Sequence, residues 1–386
     1  MADILNVTQG EFLLSRFPKR KNETLRAWDA ADEYVLDYLA EQNIVDDSRS
    51  LLIINDSFGA LSVSLSEYKP LMQSDSYLAH QGVLANLADN NLPGDYVTLA
   101  GSLEPLLGKF DVVIIKIPKS LALLEDQLIR LQPHLNVDSI VIGAGMVKGI
   151  HTSTLKLFEK IIGSTRTSLA RKKARLIFSE LDTSLHVGQN PYPKSYLLEG
   201  TDYQVFNHSS VFSQQSLDIG TRFFLEHIPE IEGEKTIVDL GCGNGVVGLI
   251  AADRSPDCEL VFIDESYMAV ASAEQNFRAA FGDRRKARFD IMDCFGGNGK
   301  NSADIIFNNP PFHQHNAVGD FIARQMFNES KMALKNGGEL WVIGNRHLGY
   351  HSILKKLFGN CTEIASNKKF MILKSIKSNS HKQASN

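Results

Sequence analysis

Short runs of β-branched and other apolar residues recur along the chain, each followed by a stretch whose apolar positions fall at helical spacing. In the first half the series is LLIIND from Leu51, SDSYLA from Ser74, FDVVIIKIPK from Phe110, IVIGAGMVKG from Ile140 and SLARKKARLIF from Ser168. The second half answers in step, with TIVDLGCGNGVVGLI from Thr236, IDESYMA from Ile263, ADIIFNNPPF from Ala303, LWVIGNRHLG from Leu340 and IASNKKFMILK from Ile364. Apolar runs of strand length alternating with helical segments, such as Ser266 to Phe281, predict a mostly parallel sheet covered by helices. Matched segments in one order predict that this α/β unit occurs twice, by duplication. A polar stretch between the halves, SELDTSLHVGQNPYPK, carries two prolines and reads as a linker. The expected division is a first domain over 1–180, a linker over 181–195, a second domain over 196–375 and a disordered polar tail over 376–386.

Composition narrows the class. Of 386 residues, 43% are apolar and 22% charged, values of an ordinary globular chain. No apolar run reaches the roughly 18 residues that span a bilayer, and the N-terminus lacks the basic and apolar regions of a secretory signal, so a cytoplasmic location without membrane contact is expected. Cys242, Cys258, Cys294 and Cys361 are too widely spaced for a CxxC metal pattern or a disulfide framework and read as buried thiols. A net charge of −5 gives no general attraction to nucleic acid, which leaves local clusters to supply it. Two such clusters stand out: Arg16, Lys19, Arg20, Lys21 and Arg26, and Arg171, Lys172, Lys173 and Arg175.

The candidate chemistry lies in the second half. Asp239 ends an apolar strand and is followed by Gly241, Gly243 and Gly245, alternate glycines that allow a sharp turn and close approach of a ligand. A dinucleotide GxGxxG fingerprint would need glycine at Val246 and does not fit. The next strand ends in Asp264, placed to accept from both hydroxyls of a ribose or, alternatively, to cap the following helix. Asp293 follows a third strand and could accept from an adenine amino group. Asn309-Pro310-Pro311-Phe312 follows the apolar run 303–307. An amine conjugated to a ring is a poor nucleophile until its plane is disturbed. The Asn309 side-chain oxygen and the Pro310 carbonyl can accept its two protons, the prolines hold that backbone stiffly, and Phe312 offers a face for a base to stack on.

These motifs resemble those of class I S-adenosyl-L-methionine-dependent methyltransferases. The glycine turn is similar to their motif I, and Asn309 to Phe312 resembles the (D/N)PP(Y/F/W) signature of enzymes that methylate adenine N6, guanine N2 or glutamine amides. Phe212-Ser213 with Leu217-Asp218-Ile219-Gly220-Thr221 resembles an FS...LDxGT segment that closes over the cofactor in RNA and protein amino-group methyltransferases. The resemblance implies two tandem Rossmann-like domains and S-adenosyl-L-methionine as cofactor. It implies a cofactor site drawn from Phe212, Ser213, Asp218, Gly220, Thr221, Asp239, Gly241, Gly243, Asn244, Asp264, Met268 and Asp293, with Asn309, Pro310, Pro311 and Phe312 catalytic. No metal is needed, because the sulfonium is already an activated leaving group. Nearly the whole chain is similar to the bacterial rRNA guanine-N2 methyltransferases, which implies methyl transfer to N2 of one guanine in large-subunit rRNA. A small-subunit rRNA target, a protein glutamine amide, and a silent RNA-binding assembly factor are the alternatives.

At the corresponding places the first half reads Asn55-Asp56-Ser57-Phe58-Gly59 and Lys116-Ile117-Pro118-Lys119. One glycine replaces three, Phe58 is expected to obstruct a cofactor, and the amide acceptor and stacking aromatic are gone. The first domain therefore reads as a degenerate copy with an RNA-binding or structural role. Lys19, Arg20, Lys21, Lys116, Lys119, Arg171, Lys172 and Lys173 are its candidate phosphate contacts. Nothing in the chain points to an obligate protein partner.

Overall fold

Each half builds a seven-stranded sheet because its apolar runs bury both faces. In the first half Leu51–Ile54 is buried along its whole length, as continuous apolar strands in a helix-covered parallel sheet must be. A computed structural model describes residues 3–20, 23–212, 214, 216–297, 299–311 and 317–378, leaving aside the side chains of 317–320. The chain divides into two compact units, Met1–Tyr192 and Pro193–Asn386.

In the C-terminal unit the strand order across the sheet is Ala287–Ile291, Glu259–Asp264, Thr236–Leu240, Ala303–Asn308, Leu334–Asn345, Phe370–Ile376 and Thr362–Ser366. The first five pair in parallel, and Phe370–Ile376 runs antiparallel to both of its neighbours. The chain crosses to one side of Thr236–Leu240 first and to the other side afterwards, so the order reverses between that strand and Ala303–Asn308. A crevice opens at the carboxyl ends of strands at such a reversal, and ligands of open α/β sheets bind there. The N-terminal unit repeats the plan with Thr98–Gly101, Leu71–Ser74, Leu51–Ile54, Phe110–Lys116, Leu135–Met146, Ala174–Ser179 and Thr165–Thr167 in the same order.

The repeat extends to single hydrogen bonds. Asp304 accepts from the Thr236 amide at 2.9 Å, and Asp111 accepts from the Ser50 amide at 2.9 Å, fastening the first and fourth strands of each sheet together. Each unit also carries a two-stranded hairpin: Asp3–Val7 with Gly10–Leu14, and Lys194–Leu197 with Gln204–Asn207. One asparagine in the middle of a helix fastens each hairpin. Asn276 accepts from the Phe206 amide (2.7 Å) and donates to the Phe206 and Asn244 carbonyls (3.0 and 2.9 Å). Asn86 accepts from the Ser15 amide (2.9 Å) and donates to the Ser15 and Phe58 carbonyls (2.9 and 2.6 Å). Cys242, Cys258 and Cys294 are buried free thiols, while Cys361 is half-buried. Among the described residues no helix is long and apolar enough to cross a membrane.

Candidate active site

The glycine turn leaves the strand Thr236–Leu240 at the crevice. Gly241, Gly243 and Gly245 all take positive φ (+70°, +54° and +76°), a conformation that side chains rarely adopt. A Cβ on Gly241 would come within 3.0 Å of the Met326 methyl, whereas one on Gly243 would meet nothing within 4 Å. The turn is thus packed from below and open above Gly243, a cradle that fits the small end of a cofactor. Asp239, buried in the strand, accepts from the Gly248 amide at 2.8 Å and so ties the turn to the helix Val246–Arg254. Burial pushes its carboxyl up to about 8, and the charge of Asp264 adds to the effect.

Asp264 braces the turn from the neighbouring strand. One carboxylate oxygen accepts from the Gly243 amide (2.9 Å) and the other from the Ser266 amide (3.0 Å). The side chain that caps the helix Tyr267–Phe281 is Ser266, which accepts from the Ala269 amide. Asn244 faces the other way. Its amide nitrogen donates to Asn207 (2.9 Å) and lies 3.4 Å from the Tyr196 hydroxyl, and its carbonyl receives Asn276, so it fastens the turn to the hairpin. Met268 is fully buried with the Ser209 hydroxyl 3.3 Å from its sulfur. Asp293 is held by Gln325 at 2.9 Å, from the long helix Ala317–Ala333.

The fourth strand delivers two consecutive asparagines. Asn308 is buried and donates to the Leu240 carbonyl at 2.8 Å, joining the ends of the two strands that flank the crevice. Asn309 donates through Nδ2 to the Thr221 hydroxyl at 3.1 Å. The Oδ1 atoms of both residues are buried and accept from nothing among the described residues. Thr221 belongs to the helix Ile219–Leu225, which Asp218 caps by accepting from the Gly220 and Thr221 amides (2.8 and 3.0 Å). Gly220 lets that turn approach Phe370, whose ring would lie 3.0 Å from any Cβ there. Phe212 is 79% exposed. Pro310 is buried and Pro311 exposed. Ser213, Phe312 and Lys21 lie outside the described residues, as does most of the tail. Sequence reasoning missed Asn308, Asn276 and the Thr221–Asn309 contact; the asparagines at equal offsets in the two halves were the available signal for Asn276.

The N-terminal unit presents a different surface at the same places. Asn55 takes the position of Gly241 with φ +67°, and its amide exchanges hydrogen bonds of 2.9 and 2.7 Å with Gln127 and donates to the Lys116 carbonyl. Asp56 is buried and accepts from the amides of Gly59, Leu61 and Ser62, the task that Asp239 performs in the sibling. Phe58 packs toward the hairpin, its ring 5.1 Å from the Arg16 guanidinium. The polar filling of the turn therefore comes from Asn55 and Asp56 rather than from Phe58. Lys116, at the place of Asn309, is half-buried and paired with Asp32 (2.7 Å) and Asp29 (3.1 Å), an arrangement unlike the free phosphate contact read from sequence. Burial opposes its charge, yet the two carboxylates hold its pKa above the ordinary lysine value. Lys19 pairs with Asp89, Arg171 with Asp37 and Lys172 with Glu33. Lys119 and Lys173 are exposed, and Arg20 is half-buried.

Sheet order, glycine cradle and the asparagine at the fourth strand end together define a class I methyltransferase, which uses S-adenosyl-L-methionine. Residues 2–183 match the RLMG N-terminal domain and residues 202–374 the methyltransferase small domain. The chain is 49% identical to the ribosomal RNA large subunit methyltransferase G of Streptomyces griseus subsp. griseus, over 96% of this chain and 98% of that one. It is 48% identical to the protein of that name from Pseudoalteromonas translucida (95% and 96% covered) and 46% to that from Aeromonas salmonicida (98% and 100%). The chain belongs to the ribosomal RNA large subunit methyltransferase G family. Among solved structures, the T. thermophilus 16S rRNA N2 methyltransferase RsmC, in complex with AdoMet and guanosine, shares the fold over 98% of both chains, with a TM-score of 0.75 at 20% identity.

Proposed function

We propose that the C-terminal unit transfers a methyl group from S-adenosyl-L-methionine to the exocyclic N2 amine of one guanine in large-subunit ribosomal RNA. The observation that carries this reading is the unpaired Asn309 Oδ1, a buried acceptor at the carboxyl end of the fourth strand. Leaving a buried acceptor unsatisfied costs about 1–3 kcal/mol, a cost that a substrate donor would remove. Asn309 Oδ1 and the Pro310 carbonyl accept the two amine protons and turn the nitrogen lone pair toward the methyl group. Gly241 and Gly243 form the cradle for the cofactor, with Asp239 and Asp264 bracing it, and Asp264, at the end of the second strand, is the proposed acceptor for the ribose hydroxyls. The cofactor supplies an electrophilic methyl on a sulfonium leaving group. Phe312 is the proposed stacking face for a base taken out of its helix.

The large-subunit target rests on relatives at 45–49% identity named for it. Guanine N2 is supported by the bound guanosine and the N2 activity of RsmC, a fold relative. RNA is held by exposed cations: Lys119 and Lys173 directly, and Lys19, Arg171 and Lys172 by exchanging a weak surface carboxylate for a phosphate. Purified protein, given unmodified large-subunit and small-subunit rRNA separately with labelled cofactor, should methylate one guanine of the large-subunit RNA, located by primer extension and nucleoside mass spectrometry. Modification confined to small-subunit RNA overturns the target; labelling of neither RNA, with label on a protein glutamine when ribosomal proteins and release factors are supplied instead, overturns the substrate class.

A further inference from the structure

We infer that Thr221 and Asp218 are positioning residues which, before substrate arrives, fix the amide of Asn309 with its oxygen toward the crevice. The inference rests on the reading of Asn309 as acceptor of the amine protons.

The contacts, together with the chemistry of the incoming amine, favour one arrangement. Asp218 caps the helix Ile219–Leu225 through Oδ2, which accepts the amides of Gly220 and Thr221 and lies 3.5 Å from the Thr221 hydroxyl. A carboxylate only accepts, so the hydroxyl proton leans toward Asp218, across a distance longer than an ordinary hydroxyl hydrogen bond, and its lone pairs are open to a donor. Toward Asn309 the hydroxyl is then an acceptor. Of the two ends of an amide only Nδ2 donates, so Nδ2 faces Thr221, as the 3.1 Å contact records. Oδ1 is left on the opposite side, buried and without a donor among the described residues. Inverting the amide would turn Oδ1 toward the Thr221 hydroxyl and present an NH2 group to the N–H groups of the incoming amine, which it cannot accept. Acceptors aimed in advance at the place where positive charge develops act on the chemical step, because they need no reorganisation during it. The cap of a short helix thus reaches the reacting amine through one hydroxyl and one amide. That gives the Leu217 to Thr221 segment a role distinct from closing over the cofactor.

The test compares Thr221→Val, which keeps the shape and removes the hydroxyl, with Thr221→Ser, which keeps the hydroxyl. Single-turnover methylation of unmodified large-subunit rRNA is measured beside affinity for S-adenosyl-L-methionine and KM for RNA. Asn309→Ala should lower the single-turnover rate by about 100-fold, as loss of one oxyanion-type partner does. Thr221→Val should lower it by about tenfold through a misplaced amide, with cofactor affinity and KM unmoved, while Thr221→Ser stays within about twofold of the parent. In the Asn309→Ala background Thr221→Val should add nothing, since the group it positions is gone. Equal losses in Thr221→Val and Thr221→Ser, a loss that persists in the Asn309→Ala background, or a loss confined to cofactor affinity each overturn the relay. A fully active Thr221→Val beside an impaired Asn309→Ala overturns the relay alone. Undiminished turnover in Asn309→Ala overturns the acceptor reading, and the relay with it.

Discussion

Asp239 is a carboxyl group set among the apolar side chains of a central strand, with one backbone amide for company. Burial raises its pKa to about 8 in the folded unit, against an ordinary value of 3.8 in the open chain. The folded state therefore holds a proton that the unfolded state has released. This contribution to stability is fully present below about pH 4 and is lost as the pH rises through about 8, with a slope of at most about 1.4 kcal/mol per pH unit between them. Asp239→Asn retains an oxygen for the Gly248 amide and has no proton to lose. Urea unfolding of the C-terminal unit should accordingly depend less on pH between about 5 and 8 in this variant than in the parent. Parallel pH profiles would show that Asp239 is ionised in the folded state. The residue types of this turn were legible in the sequence because positive φ and a strand-end acid are local requirements. The directions of Asn244 and Met268 were not legible, since they depend on a hairpin and a helix packed from elsewhere in the chain.

At the scale of elements, the central strands were legible as apolar runs because both faces of a covered parallel sheet must be apolar. The hairpins were not. Lys194–Leu197 (KSYL) and Gln204–Asn207 (QVFN) are only four residues each and show no polar–apolar alternation in sequence, and the first begins within the stretch read as linker. Thr362–Ser366 is an exposed edge strand with no apolar signature. What holds the second hairpin is largely Asn276, buried in the helix Tyr267–Phe281 and serving one amide and two carbonyls. Removing a buried amide leaves those three backbone groups short of partners, at about 1 kcal/mol or more each. Asn276→Ala should thus destabilise the C-terminal unit by roughly 2–4 kcal/mol in denaturant titration. Because Asn244 is released at the same time, cofactor affinity should fall with it. A variant with parental stability would mean that water replaces the side chain and that the hairpin is held elsewhere. The equivalent Asn86 makes the same three bonds, so Asn86→Ala should cost the N-terminal unit a similar amount.

At the scale of the whole molecule, the two units keep one sheet order and one pair of hairpin latches while their crevices have diverged. Duplication preserves what a fold needs and frees what only a ligand needs. In the N-terminal unit Ile53 stands at the place of Asp239, Asn55 at Gly241, Ser57 at Gly243, Ser74 at Asp264 and Lys116 at Asn309, as the matching strand registers require. The space below the turn, where Gly241 meets the Met326 methyl, holds the Asn55–Gln127 amide pair, and the Asp56 carboxylate is buried beside it. The lysine at the old reacting position is neutralised by Asp29 and Asp32. Ser74 rather than an acid stands at the place of Asp264, the next residue, Asp75, holds the Ser102 hydroxyl at 2.6 Å, and the turn is filled and hydrogen-bonded to itself. Isothermal titration of the full chain with S-adenosyl-L-methionine should therefore saturate at one cofactor per chain. Asp264→Ala, which removes the brace of the remaining turn and the proposed ribose acceptor, should weaken that single event by about 1.5–3 kcal/mol, the worth of a hydrogen bond to a charged group. A stoichiometry of two, or a binding event that survives Asp264→Ala at full affinity, would place a cofactor in the N-terminal unit and undo its reading as a scaffold that has lost its ligand.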